Sequence, residues 1–211
     1  MMRLLLTILA ASAAVAMLPA HAGALAATAT DKTGAMMSNV VIYATPADGA
    51  ALPPAAAHAT ASISQENLQF TPYVTVVRTG TAIRFPNNDK IEHHVKSFSS
   101  AKEFEYKIYD KGTPPPVVFD KPGVVIVYCM LHGWMRAYVL VVDTPHFNKT
   151  METGMTMLEG LPDGTYEVRA WHPDMGTVRQ PLLQRVKISG GVPQPLAFDF
   201  DFVPKKLKGP K

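Results

Sequence analysis

Beyond the first two dozen residues the chain alternates apolar and polar positions in short runs, with period two rather than 3.6. "YVTVVRTG" (73–80) runs into a turn at Thr79-Gly80, and "TAIRFPNND" follows, ending on Asn87-Asn88-Asp89. "HHVKSFS", "EFEYKIY", "VVFDKPG", "VVIVYCM" and "AYVLVVDTP" continue the series, with a Pro-rich loop at 114–116. Short β-rich runs separated by Gly, Pro and Asn predict an all-β sandwich. After Pro145, "GLPDGTYEVRAWHP" predicts a turn at Pro162-Asp163-Gly164 and a strand carrying Tyr166, Val168 and Ala170 on one face. "LLQRVKIS" and "PLAFDFDFV" read as further strands, and "ATATDKTGAMMSNVVIYATP" (27–46) reads as strand, Gly turn, strand. "ADGAALPPAAAHA" (47–59) is an Ala/Pro linker.

The first residues follow a different pattern. Arg3 precedes an apolar run from Leu4 to Leu18, and Ala20-His21-Ala22 forms a small-x-small cleavage site, with Ala24-Leu25-Ala26 as a second option. These are the three parts of a secretory signal, so residues 1–22 are read as a signal peptide and the mature chain as periplasmic. The apolar run is shorter than the ~20 residues a membrane span needs, and no later segment is long enough, so no membrane-spanning element is expected. No Cys follows the run, which closes the lipoprotein route.

Composition narrows the function classes. The 211 residues carry a net charge of +3, with no basic stripe interleaved with aromatics, which argues against a nucleic-acid partner. The basic tail "KKLKGPK" (205–211) reads as a solvated terminus. Cys129 is the single cysteine, in "YCMLHGWMRAY" (128–138). In an oxidising compartment one unpaired Cys is buried, reactive or held by a metal. As a nucleophile beside His132 it would need an Asn or Asp orienter, and none is apparent nearby. As a zinc ligand it would normally keep company with harder donors than Met135. Two His, one Cys and a long axial Met make the trigonal blue-copper set. Cys129, His132 and Met135 supply three of those donors on one loop between strands. The fourth would come from His93 or His94, which point to opposite faces. Parity with Val95 favours His93 inward, although Phe98 shares the face of His94.

Over residues 58–144 these motifs resemble the cupredoxin family. "LQFTPYVTVVRTGTAIRFPNND" is similar to the opening strands of plastocyanin-like proteins, "NNDKIEHHV" to their Asn-rich loop and ligand His, and "CMLHGWM" to the Cys-x2-His-x2-Met of amicyanin-type members. Together with "WHP", the motifs look like a cupredoxin-containing group labelled methylamine utilisation protein. The resemblance implies a Greek-key β-sandwich holding one type 1 copper per chain through His93, Cys129, His132 and Met135. It implies a one-electron carrier that docks transiently with a redox protein, Met130, Leu131, Gly133 and Trp134 offering an apolar surface around His132. Two positions depart from the family: His94 stands where an Asn usually fastens the ligand loop, and Met130 follows the Cys. A copper-binding module for delivery, sensing or sequestration is the alternative. An enzyme ranks third, since a multi-copper oxidase would need further His clusters.

The flanks resemble a carboxypeptidase-regulatory-like, transthyretin-like sandwich in two pieces, 24–48 and 145–204, with Met151-Glu152 replacing its usual Asp. On that reading the cupredoxin unit is inserted into a second small β-sandwich. The competing expectation is that the N-terminal strands extend the cupredoxin sheet, and pairing of Val41 or Ile42 with the Tyr166–Ala170 strand separates the two. Met36, Met37, Met151, Met155, Met157 and Met175 raise a Met-rich copper store, against which their scatter along the chain favours core and surface filling. His58, His146 and His172 lack ligand-like neighbours, and Trp171-His172 is expected to pack.

Overall fold

The computed structural model describes residues 22–207 and 209. The signal-peptide reading therefore lies outside the described residues, apart from Ala22. The protein is all-β, and the one helical turn among the described residues is a 3-10 turn at Pro173–Met175. No helix among them is long and apolar enough to cross a membrane.

The central element is a five-stranded sheet. Its strands are β6 (Val74–Arg78), β8 (His93–Ser99), β9 (Lys102–Tyr109), β11 (Gly123–Tyr128) and β12 (Arg136–Val142), in the order β6-β12-β11-β8-β9. A smaller sheet of β10 (Val117–Phe119), β7 (Thr81–Arg84) and β3 (Thr60–Ser62) packs on one face. A hairpin of β4 (Ser64–Glu66) and β5 (Gln69–Thr71) closes one end. The chain crosses repeatedly between the two sheets, as a Greek-key sandwich requires.

Period two sets what each face buries. On β11, Val125 and Val127 point inward, and on β12 Ala137, Val139 and Val141 do the same, against Ile83, Phe85 and Phe119. Each fully buried Val contributes about 1.5–3 kcal/mol relative to exposure. The opposite face of β12 is buried too: Tyr138, Leu140 and Val142 join a second core. That is why "AYVLVV" reads as a continuous apolar run rather than an alternating one.

The second core belongs to strands from both ends of the chain. A four-stranded sheet runs β13 (Phe147–Lys149), β2 (Val41–Pro46), β15 (Gly164–Trp171), β16 (Leu182–Ile188). A three-stranded sheet runs β14 (Met155–Pro162), β1 (Ala22–Thr30), β17 (Gln194–Asp199). β2 pairs antiparallel with β15, placing Ile42 opposite Ala170 and Val41 opposite Trp171. β1 and β2 thus pair with strands from beyond residue 145 and take no place in the five-stranded sheet. Trp171 meets Tyr138 at 6.1 Å between ring centroids, joining the four-stranded sheet to β12.

Candidate metal centre

The donors converge because the inward parity of β8, β11 and β12 continues past the strand ends. Val125 and Val127 on β11, continued by Cys129, and Val141, Val139 and Ala137 on the neighbouring β12, continued by Met135, follow the same inward face of the sheet. The last paired rung is Tyr128 with Arg136. The Cys129 amide then donates to the Met135 carbonyl at 3.2 Å, and the Met135 amide to the His132 carbonyl at 2.8 Å. These bonds hold 129–135 as a tight loop with Cys129 and Met135 inside, 3% and 1% exposed.

His93 opens β8 and is fully buried, in step with Val95 and Ser97, whereas His94, Lys96 and Phe98 face outward. Its Nδ1 lies 3.7 Å from Cys129 Sγ, and His132 Nδ1 lies 3.5 Å from the same sulfur. The imidazoles meet at 66° with centroids 5.0 Å apart. All three donor atoms fall within 4.8 Å of one another. One cysteine sulfur and two imidazoles at this spacing, with a thioether buried in the same core, form a donor set that fits a soft or borderline transition-metal ion.

The groups around the donors fix their orientation. Asp89 Oδ2 lies 2.8 Å from His93 Nε2, which leaves Nδ1 free to face Cys129. The Asp89 carboxylate also accepts from the amides of Asn67 and Leu68 at 2.7 and 3.1 Å. Burial pushes its pKa up, but the bond with His93 and the two amides outweigh burial and hold it below the usual carboxylate range. Asn67 and Leu68 are the left-handed turn residues of the β4–β5 hairpin, at φ 54° and 59°, and Trp134 Nε1 donates to the Leu68 carbonyl at 3.0 Å. One turn is thereby tied both to the His93 loop and to the 129–135 loop.

The loop before His93 is fastened by residues that precede it rather than by the one that follows. Asn87, 1% exposed, donates to the Ile91 and Tyr109 carbonyls and accepts from the Asp89 amide. His94 instead turns outward to Glu105 at 2.8 Å. Asp89 and Asn87 were missed as supporting residues by sequence reasoning. The signal available was the "NNDK" run itself, four residues before the ligand-like His.

His132 is only partly buried. Burial, reinforced by the charge of His93 and opposed by Asp89, holds its pKa below the usual histidine range, so its imidazole is neutral at pH 7 with a lone pair to offer. Around it Met130 and Leu131 are 53% and 46% exposed, and the Trp134 ring lies 5.4 Å from the His132 ring. His172 takes no part: its Nδ1 accepts from the Asp174 amide, and Trp171 beside it is buried.

No family model matches the chain, and no curated protein matches it. Among solved structures the chain is similar to a purple cupredoxin from Nitrosopumilus maritimus, at 24% identity over 39% of this chain and 99% of that one, with a TM-score of 0.36. It is similar to a reduced copper(I) form of an amicyanin variant, at 17% identity over 41% of this chain and 86% of that one, TM-score 0.37. A Cu-containing nitrite reductase from Thermus scotoductus aligns at 19% identity over 46% of this chain and 25% of that one, TM-score 0.37.

Proposed function

We propose that this chain is a periplasmic type 1 copper protein that carries single electrons between redox partners rather than turning over a substrate. The observation that carries the reading is the convergence of His93 Nδ1 and His132 Nδ1 on Cys129 Sγ in a buried pocket. Copper held there would supply one-electron chemistry between Cu(I) and Cu(II). Cys129, His93 and His132 would hold the ion, with the Met135 thioether as a fourth, weaker donor, one ion per chain.

The chain's contribution is a frame that moves little. The two backbone bonds within 129–135 tie the loop that carries Cys129, His132 and Met135, and the Asp89 bond orients His93. Partial exposure lets His132 present its ring edge to a docked protein. Met130, Leu131, Gly133 and Trp134 give that partner a small apolar surface, the kind that suits brief encounters.

The same reading treats 58–144 as the copper unit, inserted between 24–48 and 145–204, which make a second transthyretin-like sandwich. The pairing of Ile42 with Ala170 supports that division. Export rests on the signal-like residues 1–22. Release after Ala22 keeps Leu25, a fully buried β1 residue, in the mature chain.

Retention of copper through redox cycling separates a carrier from a delivery module. Protein loaded with one equivalent of Cu(II) is reduced with ascorbate, reoxidised with ferricytochrome c at physiological salt, and gel-filtered after each cycle. A carrier keeps its copper through repeated cycles. Copper that leaves the protein on each reduction would instead make this a delivery or sequestration module.

A further inference from the structure

The methionines scattered along the sequence sort into two groups in space. Met37 and Met175 are buried at 1% and 5%, and pack. Met36, Met151, Met155 and Met157 are exposed at 55%, 66%, 49% and 41%.

The register of β1 shows how three of these line up. Along one side of β1, Ala26 pairs with Met157 and Thr28 with Met155, and the bridge from Thr30 goes to Met36. Residues 26, 28 and 30 all lie on the outward face of β1, opposite the buried Leu25, Ala27 and Ala29. Paired residues in an antiparallel ladder share a face. Met36, Met155 and Met157 therefore stand in a row on the outer face of the three-stranded sheet, along its β14 side, at same-face intervals of about 7 Å. Met151 opens the turn that leads into this row: its amide donates to the Met155 carbonyl at 3.1 Å, and Gly154 donates back to the Met151 carbonyl at 2.9 Å. Gly154 is also where Met36 crosses, its Sδ 2.9 Å from the place a Cβ would occupy.

Methionine ordinarily fills gaps in a core. Three of them in a row on a solvent face leave apolar surface in water, and an exposed apolar patch of this kind marks a binding surface. The donor chemistry selects the occupant. Thioether sulfur is soft and neutral, and Cu(I) is the biological ion that prefers it. Three rotatable side-chain bonds let neighbouring sulfurs on one strand face close on a single ion. The carboxylates on this face stand at its margins, Asp199 taken by the Thr30 hydroxyl at 2.6 Å and Glu159 beyond Met157 on β14, so thioethers are the donors within the row and the site would favour Cu(I) over Cu(II) and zinc.

We propose that Met36, Met155 and Met157, with Met151 at the turn, form a second, surface site for Cu(I), distinct from the His93–Cys129–His132 centre and on the outermost sheet.

Ag(I) serves as the redox-inert probe. Full-length protein labelled with 13C in its methionine methyl groups is titrated with Ag(I) in two forms: with the first centre already filled by one equivalent of copper, and as Cys129→Ala. Methyl resonances of Met36, Met155 and Met157 are expected to shift together and saturate at about one added equivalent in both forms, as a thioether site for a soft cation requires. The triple variant Met36→Leu, Met155→Leu, Met157→Leu keeps the apolar surface and removes the sulfur. It should bind Cu(I) at this site at least about tenfold more weakly in chelator competition, with copper at the first centre unaffected. Resonances that stay put up to several equivalents of Ag(I), or a Leu variant that binds Cu(I) as tightly as its parent, would overturn the proposal.

Discussion

Asp89 Oδ2 lies 2.8 Å from Nε2 of His93, the ring nitrogen turned away from Cys129. The same carboxylate accepts from the Asn67 and Leu68 amides, so one anionic group sets both the tautomer of a donor and the seat of the hairpin turn above it. Removing such a partner from a ligating His lowers metal affinity by about 10–100-fold. Asp89→Ala is expected to weaken copper binding in that range in competition against a chelator, and to lower apoprotein stability by about 1–3 kcal/mol through the loss of its charge-assisted bonds to His93 and the two amides. An affinity unchanged in Asp89→Ala would show that His93 is held by its strand alone.

His94 provides the contrast. It neighbours His93 in sequence but points outward to Glu105, which Lys96 also meets at 3.3 Å. The bond from His94, then that from Lys96, holds Glu105 below the usual carboxylate range. A surface pair of this kind is worth little. His94→Asn is expected to leave copper affinity within about threefold of the parent, since surface charge pairs act weakly. A larger loss in the same competition assay would mean that the outward face reaches the donors.

His172 takes no part in this donor set and titrates on its own account. Burial lowers its pKa from 6.5 to about 4, against a small opposing pull from Asp174. Its folded pKa lies below its unfolded value, so folding favours the neutral ring. The stability it contributes is full above pH 6.5. It falls as the unfolded chain takes up a proton, and levels near pH 4, where the folded ring protonates too. The loss over that window is about 3 kcal/mol. Urea unfolding of His172→Asn, which keeps an acceptor for the Asp174 amide, should show a visibly shallower decline between those limits than the parent. Equal slopes would refute the assignment.

Gly154 holds φ at +69°, and a Cβ there would meet Met36 Cβ at 2.8 Å and the Ala29 carbonyl at 3.0 Å. The backbone contact cannot yield as a flexible side chain would. Gly154→Ala is expected to cost about 1–3 kcal/mol in equilibrium unfolding. A neutral result would show that the turn rearranges.

How far the sequence reveals all this varies with the range of the interaction. Strand parity is local, and it favoured His93 inward with Val95, although Phe98 on the face of His94 pulled the other way. The pairing of Ile42 with Ala170 was foreseeable only as one of two alternatives, because register between segments so far apart is set by tertiary packing that no local pattern encodes. The short strands β3, β4 and β5 carry too few β-branched residues to stand out, and the turn at Asn67-Leu68 depends on Asp89 from another loop. The methionine row is the extreme case. Met36 and Met155 are neighbours only through β1, so along the chain they look dispersed.

In a type 1 copper protein built on this frame, Cys129 sulfur binds copper in company with His93 and His132. The most direct test is the visible absorption spectrum of the full chain loaded with one equivalent of Cu(II), set beside Cys129→Ser treated identically. The parent is expected to show intense thiolate-to-copper charge-transfer absorption, and the Ser variant none. A parent without that band, or a Ser variant that keeps it, would contradict the account.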